Sequence, residues 1–174
     1  MNTNVEKALN GQINYELYSS YMYLSMSNYL KSINLNGFAH WMEIQSQEEA
    51  AHAIKIINFL QDREGKVIYE GIAKPRNSWE NVLDIFEDTH KHEKGVTNRF
   101  NDLIDLAITE KDHATNSHLQ WFITEQIEEE KTVLEILKQL RICYKSPEAL
   151  FMMDRELATR VFVPPAAPAA QAQP

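Results

Sequence analysis

Glu16, Glu49, His52, Glu93, Gln126 and Glu129 are the residues on which chemistry in this chain turns. Each falls in a run whose other members are mostly apolar and recur in alternating steps of three and four, the spacing of a helix face turned toward a core. One such series runs Phe38, Met42, Gln45, Glu49, His52, Ile56 and Phe59. A second runs Trp79, Val82, Phe86, Thr89, Glu93, Val96, Phe100 and Leu103. A third runs Leu119, Phe122, Gln126, Glu129, Val133, Ile136 and Leu140. The seven-residue series Leu9, Glu16, Tyr23, Leu30 carries Glu16 in the same way. Burying one carboxylate costs several kcal/mol unless something compensates it. Four of them with one His and no Lys or Arg in the same seams call for a bound cation, whose charge offsets their repulsion. The alternatives are a seam register shifted by one residue in several helices, or acids that pair with bases lying outside the seams.

The spacing repeats. Glu16 and Glu93 stand 77 residues apart, as do Glu49 and Gln126, His52 and Glu129, and Glu48 and Glu125. Each half of the chain thus offers one single ligand and one i, i+3 pair. Residues at i and i+3 share a helix face, so such a pair can bind one metal or bracket two. This is the ligand arrangement of di-iron carboxylate bundles, with Glu49 placed to bridge. Oxygen-rich ligation with one imidazole suits iron or manganese better than a closed structural zinc site.

The elements that must carry these residues are long helices. The 174 residues contain only five glycines, and the prolines are confined to Pro75, Pro147 and the C-terminal tail. Uninterrupted runs of strong helix formers predict helices over about 4–33, 36–64, 79–109 and 112–143. Ser146-Pro147-Glu148 starts a short fifth helix, to about residue 160. Short joints at 34–37 and 110–111 make two antiparallel hairpins. The longer stretch 65–78 lets the chain cross the length of a bundle. The expected fold is all-α: a four-helix bundle over 1–162 with one long crossover between the second and third helices, plus the short fifth helix. Residues 163–174 are mostly Pro, Ala and Gln and read as a flexible tail.

Composition narrows the function. Lys plus Arg number 17 and Asp plus Glu 25, a formal charge of −8. That argues against general nucleic-acid binding and suits a protein that attracts cations. The single Cys143 excludes a disulfide framework and a four-cysteine metal site within the chain. The N-terminus lacks the basic and apolar regions of a secretory signal, and the longest apolar run is Ala149–Met153, far short of a bilayer span. The expected compartment is the cytoplasm, with no membrane partner.

These residues resemble the ferritin family, in particular its non-haem bacterial and archaeal members. The resemblance rests on Asn14–Ser20, on Gly37–Met42 followed by Gln47–His52, on His92-Glu93-Lys94, and on Trp121–Glu130, in order over about residues 4–160. It implies that Glu16, Glu49, His52 and Glu93 are ferroxidase ligands. Glu129 matches the fourth-helix ligand of the second iron, and Gln126 a position near the iron pair. Tyr23 matches a tyrosine that hydrogen-bonds to the centre or donates an electron. Glu48, Glu125 and Glu128 match a third iron site between centre and cavity.

The resemblance further implies a hollow homo-oligomer of 24 subunits that oxidises Fe2+ with O2 or H2O2 and stores ferric mineral. The fifth helix would line the four-fold axis. Haem-binding relatives carry Met after the bridging Glu, where this chain has Ala50, so no haem is expected. The acidic pair lining the three-fold pore of animal ferritins is not matched, Asn116 and Leu119 standing near there instead. Two other readings compete: an oxygen-activating di-iron enzyme acting on an organic substrate, and a peroxide-detoxifying shell. Gln126 in place of a carboxylate weighs against the first, and the fifth helix against the second.

Overall fold

The computed structural model describes residues 1–164. The expected tail over 163–174 therefore lies, from residue 165 on, outside the described residues. Among those described there are five helices and no strand: α1 (Thr3–Ser32), α2 (Asn36–Asp62), α3 (Val82–Thr109), α4 (His113–Cys143) and α5 (Pro147–Leu157). α1 packs along α2 and α3 along α4, and α5 lies against α2. This is the expected four-helix bundle with its fifth helix. No described helix is long and apolar enough to cross a membrane.

Three helices end in one local device. Asn34, Glu64 and Lys111 all take the left-handed conformation, with φ of 60°, 58° and 56°. After each, the chain folds back to a carbonyl of the last turn: Leu35 N to Leu30 O, Gly65 N to Leu60 O and Asp112 N to Ala107 O, at 3.0, 2.8 and 2.8 Å. These bonds satisfy carbonyls that a helix end leaves open. α2 thus stops at Asp62, two residues before the expected end, because Glu64 turns the chain. α3 begins at Val82 rather than 79. Asn81 is its cap, its side chain accepting from Leu83 N and Asp84 N. Trp79 is buried as expected but lies on the crossover. Phe59 is only half-buried, and Leu60 takes the core position beside it.

The crossover lies along α1. Asn10 donates to Lys66 O and accepts from Ile68 N. Ser25 donates to Arg76 O, and Tyr29 to Trp79 O. From Asn10 to Tyr29 a helix rises about 28 Å, so the segment spans most of the bundle and delivers α3 beside the start of α2. At the opposite end, Arg63 grips Asp112 at 2.9 and 3.3 Å. Asp112 also caps α4 by accepting from Thr115 N at 3.0 Å.

The core falls into two apolar clusters. One contains Met22, Met26, Leu30, Phe38, Met42, Phe86, Val133 and Leu140. The other contains Val5, Leu9, Ile13, Ile56, Leu60, Val96, Phe100, Leu119 and Phe122. On every long helix the polar seam residues sit between the two: Glu16 between Ile13 and Met22, Glu49 and His52 between Met42 and Ile56, Glu93 between Phe86 and Val96, Gln126 and Glu129 between Phe122 and Val133.

Candidate metal centre

All six seam residues are buried: Glu16 and Glu93 are 0% exposed, Glu49 1%, His52 and Gln126 3%, Glu129 5%. One ligand atom each from Glu16, Glu49 and His52 lie within 4.8 Å of one another, a spacing that a single cation can satisfy. Oε2 of Glu16 and Oε2 of Glu49 are buried and have no hydrogen-bond partner. A buried acceptor left bare costs about 1–3 kcal/mol. His52 Nδ1 stands 3.7 Å from that bare Glu49 oxygen, and its ring is held edge-on by Trp121 and Phe122.

Glu93, Gln126 and Glu129 face this group from the second hairpin. Tyr23, fully buried, donates its hydroxyl to Glu93 Oε1. Gln126 Nε2 reaches Glu93 Oε2 at 3.2 Å and Glu93 O at 3.3 Å. Gln45 Nε2 donates to Glu129 Oε2 at 2.8 Å, tying α2 to α4. The i, i+3 spacings on α2 and α4 thus do what helical geometry allows, presenting neighbouring side chains to one layer.

The electrostatics are those of anions crowded out of water. Burial pushes the Glu16 carboxyl well above its ordinary range, and Glu49 beside it adds to the shift. Burial and then Glu93 do the same to Glu49. Glu93 is pushed up to about 8 by burial and by Glu129, against the pull of hydrogen bonds from Tyr23 and Gln126. Burial and the Glu93 charge raise the Tyr23 hydroxyl in turn. Among the described residues no Lys or Arg makes an ion pair with any of the four carboxylates, and His52 is the sole base beside them. Pairing with bases outside the seams therefore does not account for the layer.

Glu48, Glu125 and Glu128 form a graded edge to it. Glu48 and Glu125 are partly buried and Glu128 is exposed. Burial lifts Glu48 to about 7, although Arg160 beside it pulls the other way. Burial also raises Glu125, opposed by His52 and helped by Glu129. These three do not close into one tight cluster with the Glu16–Glu49–His52 group.

Three residues absent from the sequence reading enter the site. Gln12, 1% exposed, donates to Glu16 Oε1 at 2.6 Å. Arg99 donates to the Gln12 amide oxygen at 2.9 Å. Arg160, just beyond α5, donates to Gln45 Oε1 at 2.8 Å and to Glu48. Gln12 precedes Glu16 by one turn, a weak signal in the sequence. The two arginines carry none, because their proximity depends on contacts between helices distant along the chain.

A profile of the ferritin-like domain matches residues 6–143. The bacterial non-haem ferritin of Staphylococcus aureus is 33% identical over 162 residues, covering 93% of this chain and 98% of that protein. The Staphylococcus saprophyticus counterpart is 35% identical, covering 93% of this chain and 97% of that protein. Among solved structures, a closed form of the Archaeoglobus fulgidus ferritin engineered by mutagenesis superposes with a TM-score of 0.93. It is 42% identical and covers 94% of this chain and 99% of its own. The open-pore ferritin of the same archaeon gives a TM-score of 0.92 at 42% identity, with coverage of 92% and 99%.

Proposed function

The chain belongs to the ferritin family, and from that premise we propose that it stores iron as follows. Fe2+ is oxidised in the polar layer between the two apolar cores, and the ferric product is held inside a shell of identical subunits. The observation that carries this reading is the pair of bare, buried carboxylate oxygens on Glu16 and Glu49, set beside His52. An arriving Fe2+ finds acceptors already stripped of water and needing a cation.

Glu16, Glu49 and His52 take the first iron, and Glu49 bridges to the second. Glu93, Gln126 and Glu129 hold the second. Gln126 is neutral, so the second position lacks the further charge that a carboxylate at 126 would add and releases its iron more readily than such a site would. Two Fe2+ give up one electron each. O2 takes both with two protons to give H2O2, or H2O2 takes both with two protons to give two waters. The metal supplies the redox step, and the chain fixes geometry and charge. Tyr23 holds Glu93 through its hydroxyl.

The ferric ions leave past Glu48, Glu125 and Glu128, whose increasing exposure makes a path from the buried layer outward. This reading includes a third iron position there, a 24-subunit assembly, a single domain over 1–162, no haem, and a cytoplasm that keeps Fe2+ reduced. Loading the metal-free protein with excess Fe2+ in air, followed by sizing chromatography and iron counting, tests it. Many irons per chain in a very large particle is the expected result. Two irons per chain in a small oligomer would instead support an oxygen-activating di-iron enzyme.

A further inference from the structure

We propose that Arg99 and Arg160 are positioning residues, each fixing one metal-facing carboxylate through a glutamine amide set between them. This deepens the iron-binding reading and rests on it. The two chains of contacts have the same order. Arg99 Nε donates to Gln12 Oε1 at 2.9 Å, and Gln12 Nε2 donates to Glu16 Oε1 at 2.6 Å. Arg160 Nη1 donates to Gln45 Oε1 at 2.8 Å, and Gln45 Nε2 donates to Glu129 Oε2 at 2.8 Å. A guanidinium has donors and no acceptor. The end of the amide it faces must therefore be the oxygen, which turns the NH2 toward the carboxylate. One oxygen of each carboxylate is then committed to the amide. On Glu16 the other oxygen is the bare one.

Both arginines are themselves anchored. Arg99 reaches from α3 to Gly11 O at 3.1 Å and lies 4.2 Å over the Tyr15 ring. Arg160 lies 4.3 Å over the Trp41 ring and also holds Glu48, and its own carbonyl meets His40 Nε2 at 2.8 Å. Both glutamines are fully buried, at 1% and 0% exposure, so neither amide has water as an alternative partner.

The amide spacer has a physical purpose. An arginine paired directly with Glu16 or Glu129 would neutralise the anion and block a metal from it. Set one amide away, the guanidinium fixes the carboxylate's orientation and leaves its charge for the cation. Partners behind a metal ligand are typically worth about 10–100-fold in metal affinity.

The test is anaerobic titration of the full-length assembly with Co2+, a probe that reports binding without oxidation, read by calorimetry and by the visible absorption of bound Co2+. Wild type binds two Co2+ per chain in the buried layer. Arg99→Met weakens one site by about 10–100-fold and leaves the other unchanged. Gln45→Leu, which spares the Arg160–Glu48 contact, weakens the other site alone. Arg99→Lys, with one donor for the same amide oxygen, recovers part of the loss. Melting temperature falls slightly in each variant, since each leaves a buried polar atom without its partner, and assembly size stays at the wild-type value.

Should Arg99→Met fail to fold, Gln12→Leu breaks the same chain of contacts at its middle. Two wild-type affinities in both Arg99→Met and Gln45→Leu would overturn the proposal while leaving the iron reading intact. So would equal losses at both sites in each variant, which would mark the contacts as purely structural. Failure of the wild type to bind Co2+ would overturn the iron reading and this proposal with it.

Discussion

Asp154 of α5 caps α2: its Oδ1 accepts from the backbone N–H of Gly37 at 2.8 Å and from that of Phe38 at 3.0 Å. The residue at the natural cap position of α2, Leu35, has no side-chain acceptor to offer. The short helix therefore supplies what the long one lacks, and its negative charge sits at the positive end of the α2 dipole. Asp154→Ala is expected to cost about 1 kcal/mol, with a lower melting temperature and faster amide exchange in α5. Gly37→Ala is expected to do more damage. A Cβ there would lie 1.6 Å from the Asp154 carbonyl oxygen, so α5 must move bodily. Equal melting temperatures for wild type and both variants would contradict this account of the docking.

Replacing Glu49 separates stability from function. Glu49→Leu removes a buried, partnerless oxygen and a carboxyl crowded by its neighbours. The metal-free protein is expected to gain about 1–3 kcal/mol while losing rapid Fe2+ oxidation. His52→Ala is expected to lose the oxidation without the gain. Stopped-flow absorbance and thermal melts of the same samples check both. Wild-type oxidation by Glu49→Leu would mean the centre lies elsewhere.

The metal-free protein is expected to lose stability as pH rises. Glu93 has an ordinary value of 4.5 and is pushed up to about 8 in the fold. Between those values the unfolded chain has released its proton and the folded chain still holds one. Linkage then favours the unfolded state more with each step upward, and the loss is complete near pH 8. Glu16 and Glu49 shift the same way and act in the same direction. Metal binding needs the anions and so strengthens over the same window. Melting curves with and without Co2+ should diverge between pH 5 and 8; parallel curves would sink the prediction.

Tyr23→Phe leaves Glu93 Oε1 without its donor. The cost is expected to be about 1–3 kcal/mol, together with weaker metal binding at the position Glu93 serves. If the phenylalanine variant matched wild type in both melting temperature and Co2+ affinity, the Tyr23–Glu93 bond would have no role in the site.

The polar layer was legible because the chain writes it twice over. Carboxylates recur in apolar seams at helical spacing, and the same offset carries one half of the site onto the other. Helix ends were less so. Gly65 marks the end of α2 in the sequence, yet Glu64 makes the left-handed turn, and Gly65 only returns its N–H to Leu60. Trp79 fits the seam of the third helix by spacing, but the Asn81 cap leaves it outside the helix. Arg99 and Arg160 were out of reach because nothing along the chain relates position 99 to 12 or 160 to 45. Those pairs exist only once α3 lies on α1 and the end of α5 on α2.

The division of the core into two apolar clusters has a mechanical consequence. Neither cluster alone spans the bundle, and the zone joining them is a polar layer whose carboxyls give up their protons only reluctantly. On the proposed reading, iron bound there would act as a keystone joining four helices at mid-length. The metal-free subunit is expected to be slackest at this waist, with faster amide exchange there than in either apolar cluster.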